Sequence, residues 1–197
     1  MSTQSVLRRD FEIPPQLRTD RQQQMVRHIE QGPRGRVMVN LRAWLHNMDF
    51  LDVAEPFGLY LSQFAPVSKR QKEILVLVHA HFWDAKYEWD AHTRHALKAG
   101  ITQEQIDAIS KGLRPVFEDA VESLTWELVA ALHTVRHIDD DLYDRSMRVF
   151  GHKGVSDLIG LIGLYTMVAM TLNFYDVPPG HAPAWQKAAA DQGKPAT

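Results

Sequence analysis

The clearest pattern along the chain is an unbroken apolar run, Ile74 to Val78, that continues through His79 and Ala80. A run of this kind fits either a buried strand or a helix buried on most sides. Ser68 is a good N-cap, Lys72 and Glu73 fall in the first turns, and no turn residue follows for more than ten positions. Helix is therefore the reading.

The flanking patterns are helical too. Asp20 to Glu30 predicts a short helix stopped by Gly32-Pro33. After Gly35, the residues Val37, Leu41, Trp44, Leu45 and Met48 recur at helical spacing. A further helix is expected over 51–64, with Phe57, Leu61 and Phe64 inward and Pro66 breaking it. Asp84 is placed to cap the next helix, which closes at Gly100, a C′ glycine. Thr102 with Gln105 forms a capping-box pattern for a helix through Ile109. Gly112 and Pro115 mark a boundary, a short helix is expected over 115–123, and another follows over 125–137. The triplet Asp139-Asp140-Asp141 suits a helix N-terminus, where the dipole favours negative charge. That helix is expected to run to Phe150 and stop at Gly151.

The last helix is expected from near Ser156 across the apolar run Leu158 to Leu172, with Gly160 and Gly163 leaving flat places for close helix approach. The run is shorter than the roughly 20 residues of a membrane span. It reads as a helix buried in the domain or at a subunit contact. No strand alternation is visible, so the fold class is all-α. Residues 1–19, with Pro14-Pro15, read as an extended or loosely ordered arm; 20–177 as a single helical domain; and 178–197 as a tail.

Composition narrows the function. A formal net charge of −2 with no long basic run argues against nucleic acid or anionic membrane as a partner. The absence of cysteine excludes disulfides, zinc–thiolate sites and thiol redox chemistry. The N-terminus lacks the apolar core of a signal peptide, so a cytoplasmic location is expected. The ten histidines direct attention to acid–base or metal chemistry.

Glu88 and His92 are four residues apart, on one helix face one turn from each other. A carboxylate orients an imidazole and favours its charged form. Glu73 lies on the preceding apolar helix, where a lone carboxylate needs a partner. The three either form a site across two packed helices or tie those helices together as an ion-pair network. Tyr87 and Trp89 are candidates for binding a cyclic ligand or for packing. Arg70, Arg94 and Arg136 are each able to fork onto a substrate carboxylate or to make surface salt bridges. His79 and His81 point in different directions on a helix, so one metal ion cannot take both; either one is able to face the site. His133, His137 and Asp141 have metal-face spacing only on one continuous helix, and the acidic triplet argues for a new one, so no metal is assigned.

The stretch Arg70 to Ile109, with Arg-x-x-Glu, an apolar run, Tyr87-Glu88-Trp89-x-x-His92 and Ala99-Gly100-Ile101-Thr102, resembles the carboxymuconolactone decarboxylase / AhpD-like family. The likeness extends over roughly residues 35 to 177. It implies an AhpD-like helical bundle, assembled as a homo-oligomer, trimer or hexamer. In register with His92, the two cysteines of the AhpD-like branch fall on Ala85 and Glu88, so thiol peroxidase activity does not carry over. The decarboxylase branch resembles this chain better, with Tyr87, Glu88, Trp89 and His92 matching its Tyr-Glu-Trp and histidine, while Glu73 matches a glutamate present in both branches. The resemblance implies a cofactor-independent lyase acting on a small cyclic or aromatic-derived carboxylic acid or lactone. Glu73, Glu88 and His92 would be catalytic, with Tyr87, Trp89, Arg70 and His81 binding the substrate. An isomerase or hydrolase using the same residues, or a small-molecule-binding protein without catalysis, are the alternatives.

Overall fold

The apolar run is helical and central. The computed structural model describes residues 9–183, and among these the regular structure is helical. The first eight residues of the expected arm and the tail from residue 184 lie outside the described residues. The order is α1 (Asp20–Gln31), α2 (Val39–Trp44), α3 (Met48–Leu59), a π-turn (Tyr60–Phe64), α4 (Lys69–Phe82), α5 (Lys86–Lys98), α6 (Gln103–Ser110), α7 (Ala120–Thr134) and α8 (Asp140–Phe174).

Helix α4 starts as the sequence predicts: Ser68 accepts from the Gln71 N–H, and the Gln71 side chain returns to the Ser68 N–H. Glu73 through Ala80 are all buried. Packing all round this helix is the physical reason for its unbroken apolar sequence. Helices α5, α6, α7 and α8 surround it, and Leu75, Val76, Leu77, Leu128, Val129, Leu158 and Leu161 form the main core with it. A second apolar cluster joins Phe11, Val26, Ile29, Leu41, Trp44, Leu45 and Leu51 to Leu172 of α8.

Several local expectations change. Asp84 does not cap α5; it takes a positive φ of 47° in the turn, and Ala85 is the N-cap. Phe57 and Phe64 face outward at 43% and 62% exposure, while Leu61 is buried. The two helices expected over 115–137 are one, α7, capped by Asp119 and finished at Thr134. His137 therefore lies beyond the helix, and the His133/His137/Asp141 face does not form.

The boundary at Gly151 is a kink. Its φ of 60° and ψ of 179° break helical geometry inside α8, a backbone region open essentially to glycine. At Gly160 a Cβ would meet Leu61 at 3.0 Å, so the expected close approach is made there by the π-turn. Beside Gly163 there is open space. By length and composition alone α8 is apolar enough to cross a membrane. Leu158, Leu161, Leu164, Ala169 and Leu172 turn one side of it into the core, whereas Ile159, Met170 and Phe174 are exposed on the other.

The described part of the arm is extended except for a single 3₁₀ turn, Pro15–Leu17, and it is docked. Phe11 is buried, and Glu12 meets both Arg42 at 3.0 Å and His181 at 3.1 Å. The segment after α8 folds back onto the same place, with Phe11 packed against Tyr175.

Candidate active site

Two helices, one of them capped by Ser68, deliver the site. Helix α4 presents Glu73 from its second turn, and α5 presents Tyr87, Glu88, His92 and His95 along one side. Together with α2, α3 and α8 they enclose a cavity of about 550 Å³. Glu73, Tyr87, Glu88, His92, His95 and Tyr165 line its α4/α5/α8 side.

Glu73 Oε2 lies 2.7 Å from His92 Nδ1, and the two side chains are 7% and 15% exposed. A carboxylate facing Nδ1 selects the tautomer with its proton there and leaves Nε2 with a free lone pair. The Tyr165 ring meets the His92 ring edge-on, with centroids 5.4 Å apart at 85°. Burial holds the Tyr165 hydroxyl protonated well above its ordinary range, and the charge of Glu73 reinforces this. It is a fixed neutral donor on the cavity wall.

Glu88 is the unusual member. It is 2% exposed, and neither carboxyl oxygen has a hydrogen-bond partner among the described residues. Burial pushes its carboxyl up to about 8. Desolvation without a compensating cation favours the neutral acid, so at neutral pH this group mostly holds its proton. The expected role of Glu88, orienting His92, belongs instead to Glu73: an i,i+4 position gives proximity along a helix, but the α4 carboxylate takes the bond.

Of the other candidates, Tyr87 and Arg94 reach the cavity, the latter paired with Asp90 at 2.7 Å. Arg70 is held by Glu122 at 2.5 Å and by the carbonyl oxygen of Gly100, where it ties α4 to α7 and the α5 terminus. His81 is exposed beside Gly112. Trp89 packs into the core. These three are not brought to the site.

Sequence reasoning missed the cavity's basic side. Arg34 is held by Glu55 at 3.1 Å, Lys72 donates to the Ser62 carbonyl, and Arg36 makes no ion pair among the described residues. Arg34 and Arg36 lie between helices, and nothing in local periodicity marks them. Lys72 directly precedes Glu73 and was visible only as a helix-start residue.

A second buried pair lies away from the cavity. His79 Nδ1 is 3.2 Å from His133 Nε2, and Phe82 stacks on His133 with centroids 4.6 Å apart. Burial, then the neighbouring His133, lowers His79 to about 3, and burial lowers His133 as well. His79 thus serves the α4–α7 contact.

Residues 50–130 match the model of the Carboxymuconolactone decarboxylase family. The matched segment includes α4 and α5 entire, and so Glu73, Glu88 and His92. No curated protein matches the chain in sequence. Among solved structures, the fold is similar to an uncharacterized peroxidase-related protein from Silicibacter sp. TM1040, with a TM-score of 0.69, 16% identity, and 88% of this chain and 91% of that one covered. It is also similar to a cysteine-to-alanine variant of the debrominase Bmp8 in complex with 2,3,4-tribromopyrrole, with a TM-score of 0.65, 13% identity, and 98% and 99% covered. At these identities the likeness establishes the helical fold.

Proposed function

We propose that this chain is a member of the carboxymuconolactone decarboxylase family and a cofactor-independent lyase acting on a small cyclic or aromatic-derived carboxylic acid or lactone. The observation that carries the reading is a buried, unpartnered carboxyl at Glu88 on the wall that also bears the Glu73–His92 pair. Such a wall offers a proton donor and a proton acceptor side by side.

In the proposed decarboxylation, the bond between the ring carbon and the carboxylate breaks and carbon dioxide leaves. The electron pair passes into the conjugated carbonyl, and the resulting enolate takes a proton at carbon. His92 shuttles that proton, with Glu73 fixing its tautomer and stabilising the imidazolium. Glu88 and Tyr165 donate hydrogen bonds to the developing enolate oxygen, and their neutral state makes them able to. Arg36 and Lys72 supply positive charge for the substrate carboxylate. The debrominase neighbour is described with a small halogenated aromatic ring, which supports the same size class of ligand for this architecture.

The test is carbon dioxide release from a panel of small cyclic carboxylic acids and lactones. The reading expects release by the native chain and loss in Glu88→Gln and His92→Ala at unchanged helicity. Consumption without carbon dioxide would favour isomerisation or hydrolysis. Binding that survives both substitutions, with nothing consumed, would favour a binding protein. We also propose self-association through exposed apolar positions on α3 and the π-turn, Val53, Phe57 and Phe64.

A further inference from the structure

Beside the acid–base pair stands a third potential ligand, a second imidazole, that the proposed lyase does not use. His95 follows His92 by three residues on α5, so the two imidazoles lie on one helix face. Their rings are nearly perpendicular, 83° apart, with centroids at 5.3 Å. One ligand atom from each of Glu73, His92 and His95 lies within 4.8 Å of the others. All three side chains line the cavity.

We propose that Glu73, His92 and His95 bind one divalent first-row transition ion, facing the cavity with coordination positions left open. Two imidazoles and one carboxylate form a ligand set suited to zinc or iron(II), and three protein ligands leave room for water or substrate. Ions of this kind hold nitrogen and oxygen donors at roughly 2.0–2.2 Å. The three side chains therefore close inward on binding, and the Glu73–His92 hydrogen bond gives way to two bonds to the ion.

Glu88 supplies an independent pointer to a ligand here. A carboxyl 2% exposed with both oxygens unpartnered is a buried polar group without an explanation inside the chain. It lines the same cavity, and a water or hydroxide on the ion would give it a partner. An ion at this place would take an oxygen ligand, such as the carboxylate or lactone carbonyl of a small acid. The proposal uses the cavity of the proposed lyase but does not depend on that activity: with the ion bound Glu73 and His92 are ligands, and in the ion-free chain they form the pair that moves the proton.

The test uses the full chain without a histidine tag, stripped with a chelator and dialysed. It is titrated with Zn²⁺ by calorimetry and with Co²⁺ by visible absorption. One ion per chain is expected, with Co²⁺ giving the absorption of a low-coordinate nitrogen–oxygen site. His95→Ala and Glu73→Gln should each weaken binding by at least about tenfold, the lower range seen even for groups that merely support a ligand. His95 is exposed, so its replacement leaves the core intact. His133→Ala, away from the cavity, should bind as the native chain does. Binding well below one ion per chain, or binding unchanged in His95→Ala, overturns the metal site. Such a result leaves the lyase reading standing, whereas full carbon dioxide release by Glu88→Gln overturns the lyase reading and leaves the metal site standing.

Discussion

Glu73 and His92 meet at 2.7 Å across the α4–α5 boundary, although they are 19 positions apart in sequence. The carboxylate comes from the helix that is buried on most sides, and the imidazole from the helix that walls the cavity. Removing the carboxylate frees the tautomer and leaves the imidazolium without its counter-charge. Glu73→Ala is expected to lower carbon dioxide release by about 10²-fold or more, the usual scale for a positioned acid–base group. Steady-state rates for the native chain and the variant at equal helicity check this; a loss below threefold would remove Glu73 from the mechanism.

Glu88 gives stability an unusual pH dependence. Its folded-state carboxyl is raised to about 8 from 4.5, so between those values the unfolded chain releases a proton that the folded chain keeps. Ionisation then favours unfolding, and stability from this group is lost as pH rises from 4.5 toward 8. The slope is about 1.4 kcal/mol per pH unit at most. Glu88→Gln should therefore match the native chain near pH 4 and exceed it in stability at pH 8. Urea unfolding at the two pH values measures the difference, and a variant less stable than native at pH 8 contradicts the assignment.

The His79–His133 pair acts in the opposite direction. Both rings are depressed below 6.5, His79 to about 3, so each is neutral when folded while the unfolded chain takes up protons below 6.5. Their contribution is present above pH 6.5 and lost as pH falls below it. The double variant His79→Gln with His133→Gln is expected to show a shallower acid limb in a stability–pH curve. Identical limbs for both proteins would place the acid sensitivity elsewhere.

Gly151 holds φ at 60° and ψ at 179°, with nothing within 4 Å of where a Cβ would stand. Gly151→Ala thus tests backbone strain without steric crowding. A loss of roughly 1–3 kcal/mol is expected. Denaturant midpoints decide it, and an unchanged midpoint would mean that α8 straightens at no cost.

Self-association predicts that the chain elutes at the mass of a trimer or hexamer in light scattering. Val53→Glu together with Phe64→Glu, both on the exposed side of the α3/π-turn unit, should lower that mass. An unaltered oligomer would place the contact on another face.

The fold was legible where periodicity and capping agree. The starts of α1, α4, α6 and α8 and the stop at Gly100 were all visible, because caps and glycines act within one turn. Asp84 misled because a good capping residue in a tight turn went to a positive φ instead. Phe57 and Phe64 misled because aromatic residues at helical spacing mark an apolar face without saying whether this chain or another molecule covers it. At the site, His92 was legible from its spacing to Glu88, and Glu73 from being a carboxylate in an otherwise apolar helix, which needs a partner. Arg34, Arg36 and Tyr165 were not, since they reach the cavity from distant segments, and only tertiary packing brings them there.

The clasp at Glu12 has a consequence for how the molecule is made. Its carboxylate holds Arg42 on one side and His181 on the other, and His181 is 169 positions away in sequence. Both Arg42 and His181 belong to the cavity wall. During synthesis, then, the pocket stays open on that side until residue 181 has left the ribosome. The chemistry-bearing helices are complete long before the enclosure that shelters them.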